Sequence, residues 1–297
     1  MSEAPPLVPG QIPPWIRMRV SEGENFKELK QLVQQRNLHT VCEEARCPNI
    51  FDCWSRRTAT FMILGDVCTR ACRFCAVTSG RPSELDLGEP LRVAESVAQL
   101  GLRHAVITSV DRDDLKDGGA GIFARTIRAI RRRSPGTTIE VLTPDFQGNL
   151  ESVETVVDAG PDIFNHNTET VPRLYARIRP KAVYANSLAL LRHVKALAPH
   201  MVTKSGLMVG LGETDDELLD VFRNMRAHNI DVLTVGQYLR PSKQHAEVVR
   251  YYRPEEFARF KEQALAMGFG HVEAGPLVRS SYHADEQVPA RKSLLAG

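Results

Sequence analysis

The chain has no cysteine beyond residue 75, no apolar run long enough to cross a bilayer, and almost no net charge. A spanning helix needs about 18 consecutive apolar residues, and no stretch approaches that. The opening MSEAPPLVPGQIPPWIRMRV is Pro-rich. It lacks both the charged-then-apolar order of a secretory signal and the Arg/Ser-rich amphipathic character of a transit peptide. These absences predict a cytoplasmic protein with no membrane association. Lys plus Arg total 38 against 36 Asp plus Glu, a formal charge of +2, so nothing in the charge balance points to nucleic acid. All six cysteines fall within the 34 residues from Cys42 to Cys75. A disulfide scaffold distributes its pairs through a small secreted domain, so this clustering in a long chain predicts metal ligation instead. What the chain does have is 297 residues, 42% of them hydrophobic: enough for one large barrel-like core or for two ordinary domains.

The cysteines separate by spacing into two triplets. Cys68, Cys72 and Cys75 form C-x3-C-x2-C within GDVCTRACRFCAV, and Cys42, Cys47 and Cys53 form C-x4-C-x5-C upstream. Structural zinc takes four protein ligands in a closed tetrahedron, and no nearby histidine completes the C-x3-C-x2-C set. A four-iron cubane held by three thiolates leaves one iron bare, able to chelate a small molecule through amine and carboxylate groups. Spacing alone leaves open a single zinc or cluster site with bystander thiols, in a metal-stabilised binding or electron-transfer protein.

Residues 1–57 read as an N-terminal extension that carries the first triplet, with one helical pattern in ENFKELKQLVQQ. Six short β-rich runs follow: TATFMILG, HAVITSV, TTIEVLT, PDIFNHN, MVTKSGLMVG and IDVLTVGQY. Between them lie helical patterns with readable ends. EPLRVAESVAQLG has Pro90 at its start and Gly101 at its stop, TDDELLDVFRNM opens with a Thr214–Glu217 capping box, and RPEEFARFKEQALAMG runs from Pro254 to Gly268. A doubly wound open sheet fits this alternation too. The polar residues, however, gather at the carboxyl ends of the runs, in TSVDRDD, LTPD, NHNTE, GLGETDDE and GQYLRPS, where barrel enzymes carry their catalytic loops. The expected fold is therefore α/β, a partial (β/α)6 TIM-like barrel over residues 58–275. The C-terminal segment 276–297 is expected to close its wide mouth.

C-x3-C-x2-C placed directly after the first strand of a partial barrel resembles the radical S-adenosylmethionine enzymes. The upstream C-x4-C-x5-C and the RSSYHAD sequence at Arg279–Asp285 make the chain similar to the lipoyl synthase family within that superfamily. The likeness runs from about Cys42 to Asp285 and takes in SVDRDDLKDGGA, NHNTETVPRLY, KSGLMVGLGE and QYLRPS. Biotin-synthase-like enzymes, the other sulfur-inserting candidates, have auxiliary ligands that would not produce C-x4-C-x5-C plus RSSY.

The resemblance implies two 4Fe-4S clusters and S-adenosylmethionine as cofactors. The cluster on Cys68, Cys72 and Cys75 would reduce S-adenosylmethionine to methionine and a 5'-deoxyadenosyl radical, which takes hydrogen from carbons 6 and 8 of an octanoyl chain on a carrier-protein lysine. The cluster on Cys42, Cys47 and Cys53 would give up two sulfides, its fourth iron held by Ser281, with Ser280 as the alternative. A serine oxygen is a hard ligand beside sulfide-rich iron and detaches more readily than thiolate, which suits a cluster that is dismantled. The implied partners are octanoylated lipoyl-carrier domains (the E2 acyltransferase of 2-oxoacid dehydrogenases or the glycine cleavage H protein), a reductant such as ferredoxin or flavodoxin, and an iron-sulfur carrier for cluster repair.

Other candidates are weighed individually. Gly118 and Gly119 resemble the superfamily's S-adenosylmethionine-approaching glycines, although Ala120 stands where an acid often follows; alone, they suit a turn before a helix. Asn165, Asn167 and Glu169 lie at a strand end facing the expected mouth and are read as cofactor contacts. Arg177 and Lys204 are candidate partners for a carboxylate, and Arg279 for gating or stabilising the serine ligand. His166 and His283 are read as hydrogen-bonding residues. The basic RTIRAIRRRSPG is read as the wet face and end of a helix, with a docking patch for an acidic carrier domain as the sharper alternative.

Overall fold

The computed structural model describes residues 12–16, 23–36, 38–44, 47, 49–282 and 284. His283, Asp285 and the Pro-rich opening to residue 11 lie outside the described residues, as does most of segment 276–297 beyond Tyr282. The strands are β1 (His39–Thr40), β2 (Thr58–Ile63), β3 (Val67–Cys68), β4 (Thr78–Ser79), β5 (His104–Ser109), β6 (Thr138–Leu142), β7 (Ile163–Asn165), β8 (Val202–Val209), β9 (Val232–Gln237) and β10 (His271–Gly275). One sheet runs β1-β2-β5-β6-β7-β8-β9-β10, and β3 pairs with β4. All pairs are parallel except β1 on β2, and the sheet ends at β1 and β10 without closing on itself. It is an open partial barrel.

Strands β2 and β5 to β9 are the six expected runs. β10 adds a seventh parallel strand, in register with β9 from His271↔Val232 to Gly275↔Gly236. Sequence reading passed over it because HVEAG buries only Val272 fully and so lacks the apolar signature of a central strand. The inner strands are buried almost throughout, because helices cover the outside and side chains fill the inside. Helix Glu89–Gln99 presses Val93, Ala94 and Val97 inward, with Pro90 in its first turn and Gly101 at φ 57° after its last. Helix Asp215–Ala227 begins at the expected box, in which Thr214 and Glu217 exchange side-chain-to-backbone hydrogen bonds of 2.8 and 3.3 Å.

The N-terminal helix Glu24–Gln35 buries Phe26, Leu29 and Val33, stacking Phe26 on Phe51 (4.8 Å) and beside Trp54 (5.2 Å). That contact seats the segment carrying the first triplet against the outer edge of β2. At the far end of the basic run, Arg131 reaches Thr137 O (2.8 Å) and pairs with Asp162, and Arg133 pairs with Glu95 (3.1 Å). Thr137 and Asp162 immediately precede β6 and β7, so the run ends at the amino face of the barrel, away from the loop bearing Cys68. The wet-helix-end reading fits this position, and a carrier docked there would face the wrong end.

Two expected cofactor residues lie in the barrel interior instead. Lys204 Nζ sits 3.0 Å from Glu140 Oε1, Asn165 Nδ2 donates to the same oxygen at 2.8 Å, and His104 Nε2 stands 3.5 Å from Glu140 Oε2, all buried. Burial opposes the charge on Glu140, but the Lys204 ammonium, His104 and Asn165 together hold its carboxyl down at about 2. A carboxyl depressed from its ordinary 4.5 contributes stability above that value, and the contribution is lost as pH falls toward 2. Lys204→Met leaves a buried carboxylate unpaired and is expected to destabilise the fold by about 3–5 kcal/mol. Adding Glu140→Leu should recover most of that loss in denaturant unfolding; a single variant as stable as the parent would refute the pairing.

Candidate active site

The C-x3-C-x2-C loop leaves the carboxyl end of β2 and is tied to several neighbouring segments. Thr69 N and Oγ1 both donate to Asp111 O (3.0 and 2.9 Å), Arg73 N donates to Ile178 O (2.9 Å), and Cys75 N closes a turn on Cys72 O (3.1 Å). Arg70, buried between the first two ligand cysteines, spreads its guanidinium over Asp113 (3.0 and 2.9 Å), Asp145 (2.6 Å) and Asp111 (3.3 Å). This fork joins the loop to the ends of β5 and β6. Cys68 Sγ accepts backbone N–H groups from Arg70 (3.4 Å) and Asp111 (3.3 Å), placing the sulfur before any ligand arrives.

The upstream triplet begins on helix Val41–Glu44 with buried Cys42. Cys47 N donates to Cys42 O (3.0 Å), and Cys53 lies on helix Ile50–Ser55. Asn49, within this triplet, sends Nδ2 to Leu277 O at 2.6 Å and so pins the C-terminal segment beside these cysteines. Gly236 on β9 permits the same approach from the barrel side, because a Cβ there would lie 2.1 Å from Val278 O. Gly236→Ala is therefore expected to push Ser280 and Ser281 away. If the resemblance's serine ligand holds, reconstituted iron then falls from about eight to about four per chain with S-adenosylmethionine cleavage retained; full iron loading would show that this contact is dispensable.

One cavity of about 500 Å³ brings these pieces together. Its wall includes Cys68, Cys72 and Cys75 with Cys42, Cys47, Ser280 and Ser281. Cys53 is electrostatically coupled to Cys42 and Cys47 just behind. All six are free thiols. Burial pushes Cys42 and Cys72 up to about 12 and Cys75 to about 11, so unaccompanied thiolates are disfavoured, a cost that a bound cation would offset.

Between the triplets stand Asn167, Glu169, Arg179 and Arg279. Asn167 Nδ2 donates to Glu169 Oε1 (3.1 Å), and Arg179 Nη1 donates to Asn167 O (3.0 Å). Glu169 takes φ 67°, an uncommon conformation for a non-glycine residue. Asn167 Oδ1 and Arg179 Nε are buried without a hydrogen-bond partner, and both residues border the cavity. Unpaired buried polar atoms are costly, so these walls suit a ligand with amine, hydroxyl and carboxylate groups, as S-adenosylmethionine has. Arg279 donates to Val278 O (2.7 Å) and Gln237 O (3.3 Å); burial lowers its affinity for the proton, while Cys47 and Glu169 act in the opposite direction. His166 hydrogen-bonds Thr143 O (2.8 Å) and Ser187 (3.0 Å), and burial, with the Arg179 charge, drops it to about 4, leaving a neutral ring.

Five expected contacts fall elsewhere. Asn165 and Lys204 are occupied with Glu140, as described. Arg177 is exposed and donates to Leu211 O. Gly118 and Gly119 do not border the cavity: they turn at φ 59° and 89° into helix Ala120–Arg133, and a Cβ on Gly119 would meet Leu64 Cδ1 at 2.2 Å. Conversely, Arg70, Arg179, Asn49 and Gly236 went unread. Only Arg70, between two ligand cysteines, carried a sequence signal.

A parallel partial barrel with three clustered thiols after its first parallel strand, opening on a cavity lined by charged, polar and apolar side chains, defines a radical S-adenosylmethionine enzyme. The family model of the radical SAM superfamily matches residues 62–225. The fold is shared with methylornithine synthase (12% identity, TM-score 0.53, 91% of this chain and 92% of that one) and with Streptococcus suis SuiB bound to S-adenosylmethionine (10%, 0.56, 77% and 54%). Within that class the chain belongs to the lipoyl synthase family. The model for the N-terminal domain of lipoyl synthase matches residues 9–47. Lipoyl synthase of Rubrobacter xylanophilus is 61% identical over 284 residues (95% of this chain, 88% of that protein), and that of Bacillus subtilis 60% over 277 (93% of each).

Proposed function

We propose that the protein inserts sulfur at carbons 6 and 8 of an octanoyl chain amide-linked to a carrier-protein lysine, forming the lipoyl group. The observation that carries this reading is the single cavity bordered by both cysteine sets and the RSSY serines. An unactivated carbon offers a thiolate no electrophile, so the site that generates a carbon radical and the sulfur that traps it have to share one enclosure. When bound, the cluster on Cys68, Cys72 and Cys75 together with S-adenosylmethionine supplies the hydrogen-abstracting 5'-deoxyadenosyl radical, and the cluster on Cys42, Cys47 and Cys53 supplies sulfide.

The chain's own residues do the rest. Arg179 offers a cation to the cofactor carboxylate, while Asn167 and Glu169 accept from its amine and hydroxyl groups. Ser281 would ligate the auxiliary cluster beside Cys42 and Cys47, and Arg279 would offset thiolate charge at Cys47. Val41, Met62, Leu142, Leu207, Met208 and Leu239 make the remaining wall apolar and suited to an eight-carbon chain. Residues 1–57 and 276–297 act together as the sulfur-supplying part and 58–275 as the radical-generating part.

The carriers in this reading are the E2 acyltransferase of 2-oxoacid dehydrogenases or the glycine cleavage H protein, with ferredoxin or flavodoxin as reductant and an iron-sulfur carrier that rebuilds the spent cluster. No helix among the described residues is long and apolar enough to cross a membrane, and we place the reaction in the cytoplasm. Anaerobic incubation of reconstituted enzyme with S-adenosylmethionine, reductant and an octanoyl-lysine peptide tests the whole reading. The expected product gains two sulfurs and, as the closed dithiolane, loses two hydrogens. Cofactor cleavage without sulfur gain would point to a different radical reaction, and no cleavage would point to a binding or electron-transfer protein.

A further inference from the structure

Charge is nearly balanced over the whole chain but not around the C-x3-C-x2-C loop. Three segments pack there: residues 69–76, 176–182 and 239–250. Together they contain eight Lys and Arg (Arg70, Arg73, Arg177, Arg179, Lys181, Arg240, Lys243 and Arg250) and a single acid, Glu247. Arg70 and Arg179 are buried. Of the exposed remainder, Arg177 and Arg250 lean away, toward Leu211 O and toward Asp215 and Glu256. That leaves Arg73, Lys181, Arg240 and Lys243 as the basic face.

Their position is defined by contacts with the loop backbone. Lys181 Nζ donates to Thr69 O (2.9 Å). Ala246 N donates to Arg73 O (2.8 Å), and His245, held by Ser242 (2.8 Å), reaches Cys75 O with Nε2 (2.9 Å). Arg73 and Arg240 both act electrostatically on the Tyr238 hydroxyl, so they flank one spot. Among the described residues Arg73, Lys181 and Lys243 form no ion pair, and Arg240 has only Glu247 at 3.8 Å; the nearby Asp111, Asp113 and Asp145 are engaged by Arg70. Arg73, Lys181 and Lys243 do not border the cavity, which Arg240 alone of the four touches.

We propose that this face is the docking surface of a small acidic electron-transfer protein, which delivers single electrons to the cluster held by Cys68, Cys72 and Cys75. The inference rests on the radical chemistry proposed above, which consumes one electron for each S-adenosylmethionine cleaved. Uncompensated exposed charge of one sign steers an oppositely charged partner and sets its association rate. A partner seated here lies against the segments that contact the ligand loop's backbone at Thr69, Arg73 and Cys75. An acyl carrier has a different requirement, since it must thread a lysine arm into the cavity, and three of these four side chains stand off from it.

The test uses reconstituted holoenzyme, flavodoxin as the acidic donor, and the double variant Arg73→Glu/Lys243→Glu. Binding of oxidised flavodoxin, read by fluorescence anisotropy, is expected to weaken about tenfold at low ionic strength, with much of the parent's salt dependence lost. Iron content and dithionite-driven 5'-deoxyadenosine formation should match the parent, while flavodoxin-driven formation falls with the binding. Unchanged flavodoxin affinity would overturn the proposal. So would selective weakening of an octanoylated carrier domain, which would assign the face to the acyl carrier, or an equal drop with dithionite, which would reduce these side chains to supports of the loop. If the parent itself makes no 5'-deoxyadenosine with dithionite, the radical reading fails before the docking surface is reached.

Discussion

Replacing Cys68, Cys72 and Cys75 together with alanine is expected to abolish 5'-deoxyadenosine formation, a loss of roughly three orders of magnitude or more, because no other group in the cavity can hold a redox cluster at that position. Replacing Cys42, Cys47 and Cys53 should instead spare cleavage of S-adenosylmethionine and eliminate sulfur insertion. The asymmetry follows from how the triplets are carried. Cys68, Cys72 and Cys75 sit on a loop pinned to β5 and β6 by Arg70, Cys42 and Cys53 on short helices whose segment is pinned to Leu277 by Asn49, and neither support passes through the other. Each variant should retain about four irons where the parent holds about eight. Folding is monitored alongside by far-ultraviolet dichroism. Equal loss of both activities in folded variants would count against separate roles, and so would a parent that binds four irons or fewer after full reconstitution.

Ser281 carries the second large effect. Ser281→Ala should keep cofactor cleavage within about twofold while the sulfur-inserted product falls by at least about 100-fold, since under the proposed function Ser281 is a direct ligand, whose loss exceeds the cost of disturbing an outer-shell partner. Ser281→Cys substitutes a softer donor that iron-sulfur clusters retain more firmly. Its auxiliary cluster should survive turnover conditions with sulfide release slowed, visible as about eight irons remaining after incubation with substrate. Ser280→Ala is the control and should leave both activities within about twofold. Were it to reproduce the Ser281→Ala phenotype while Ser281→Ala did not, the ligand would be Ser280.

The expected contacts that lie away from the cavity share a physical cause. Asn165 and Asn167 belong to one polar cluster in the sequence, yet β7 ends at Asn165, whose side chain is held by Glu140, while the chain beyond it carries Asn167 to the cavity wall. Lys204 lies near the amino end of the eight-residue β8, below the mouth, where its long side chain can be buried only against a carboxylate on a neighbouring strand. Strand periodicity predicts which face a residue takes but not its height along the barrel axis. Arg177 and Arg179 are separated by the same kind of detail: the short helix Tyr175–Ile178 ends between them, leaving one exposed and the other folded back on Asn167 O.

Local chemistry was readable without coordinates: two thiol triplets at cluster spacing, six strand–helix repeats with polar carboxyl ends, and helix caps at Pro90, Thr214 and Pro254. Each depends on residues within a few positions of one another, so spacing alone carries it. The meeting of Ser281 with cysteines more than two hundred residues earlier was decided only by the tertiary structure. It depends on Asn49 reaching Leu277 and on a bare Gly236 under Val278, contacts between distant segments that no periodicity encodes.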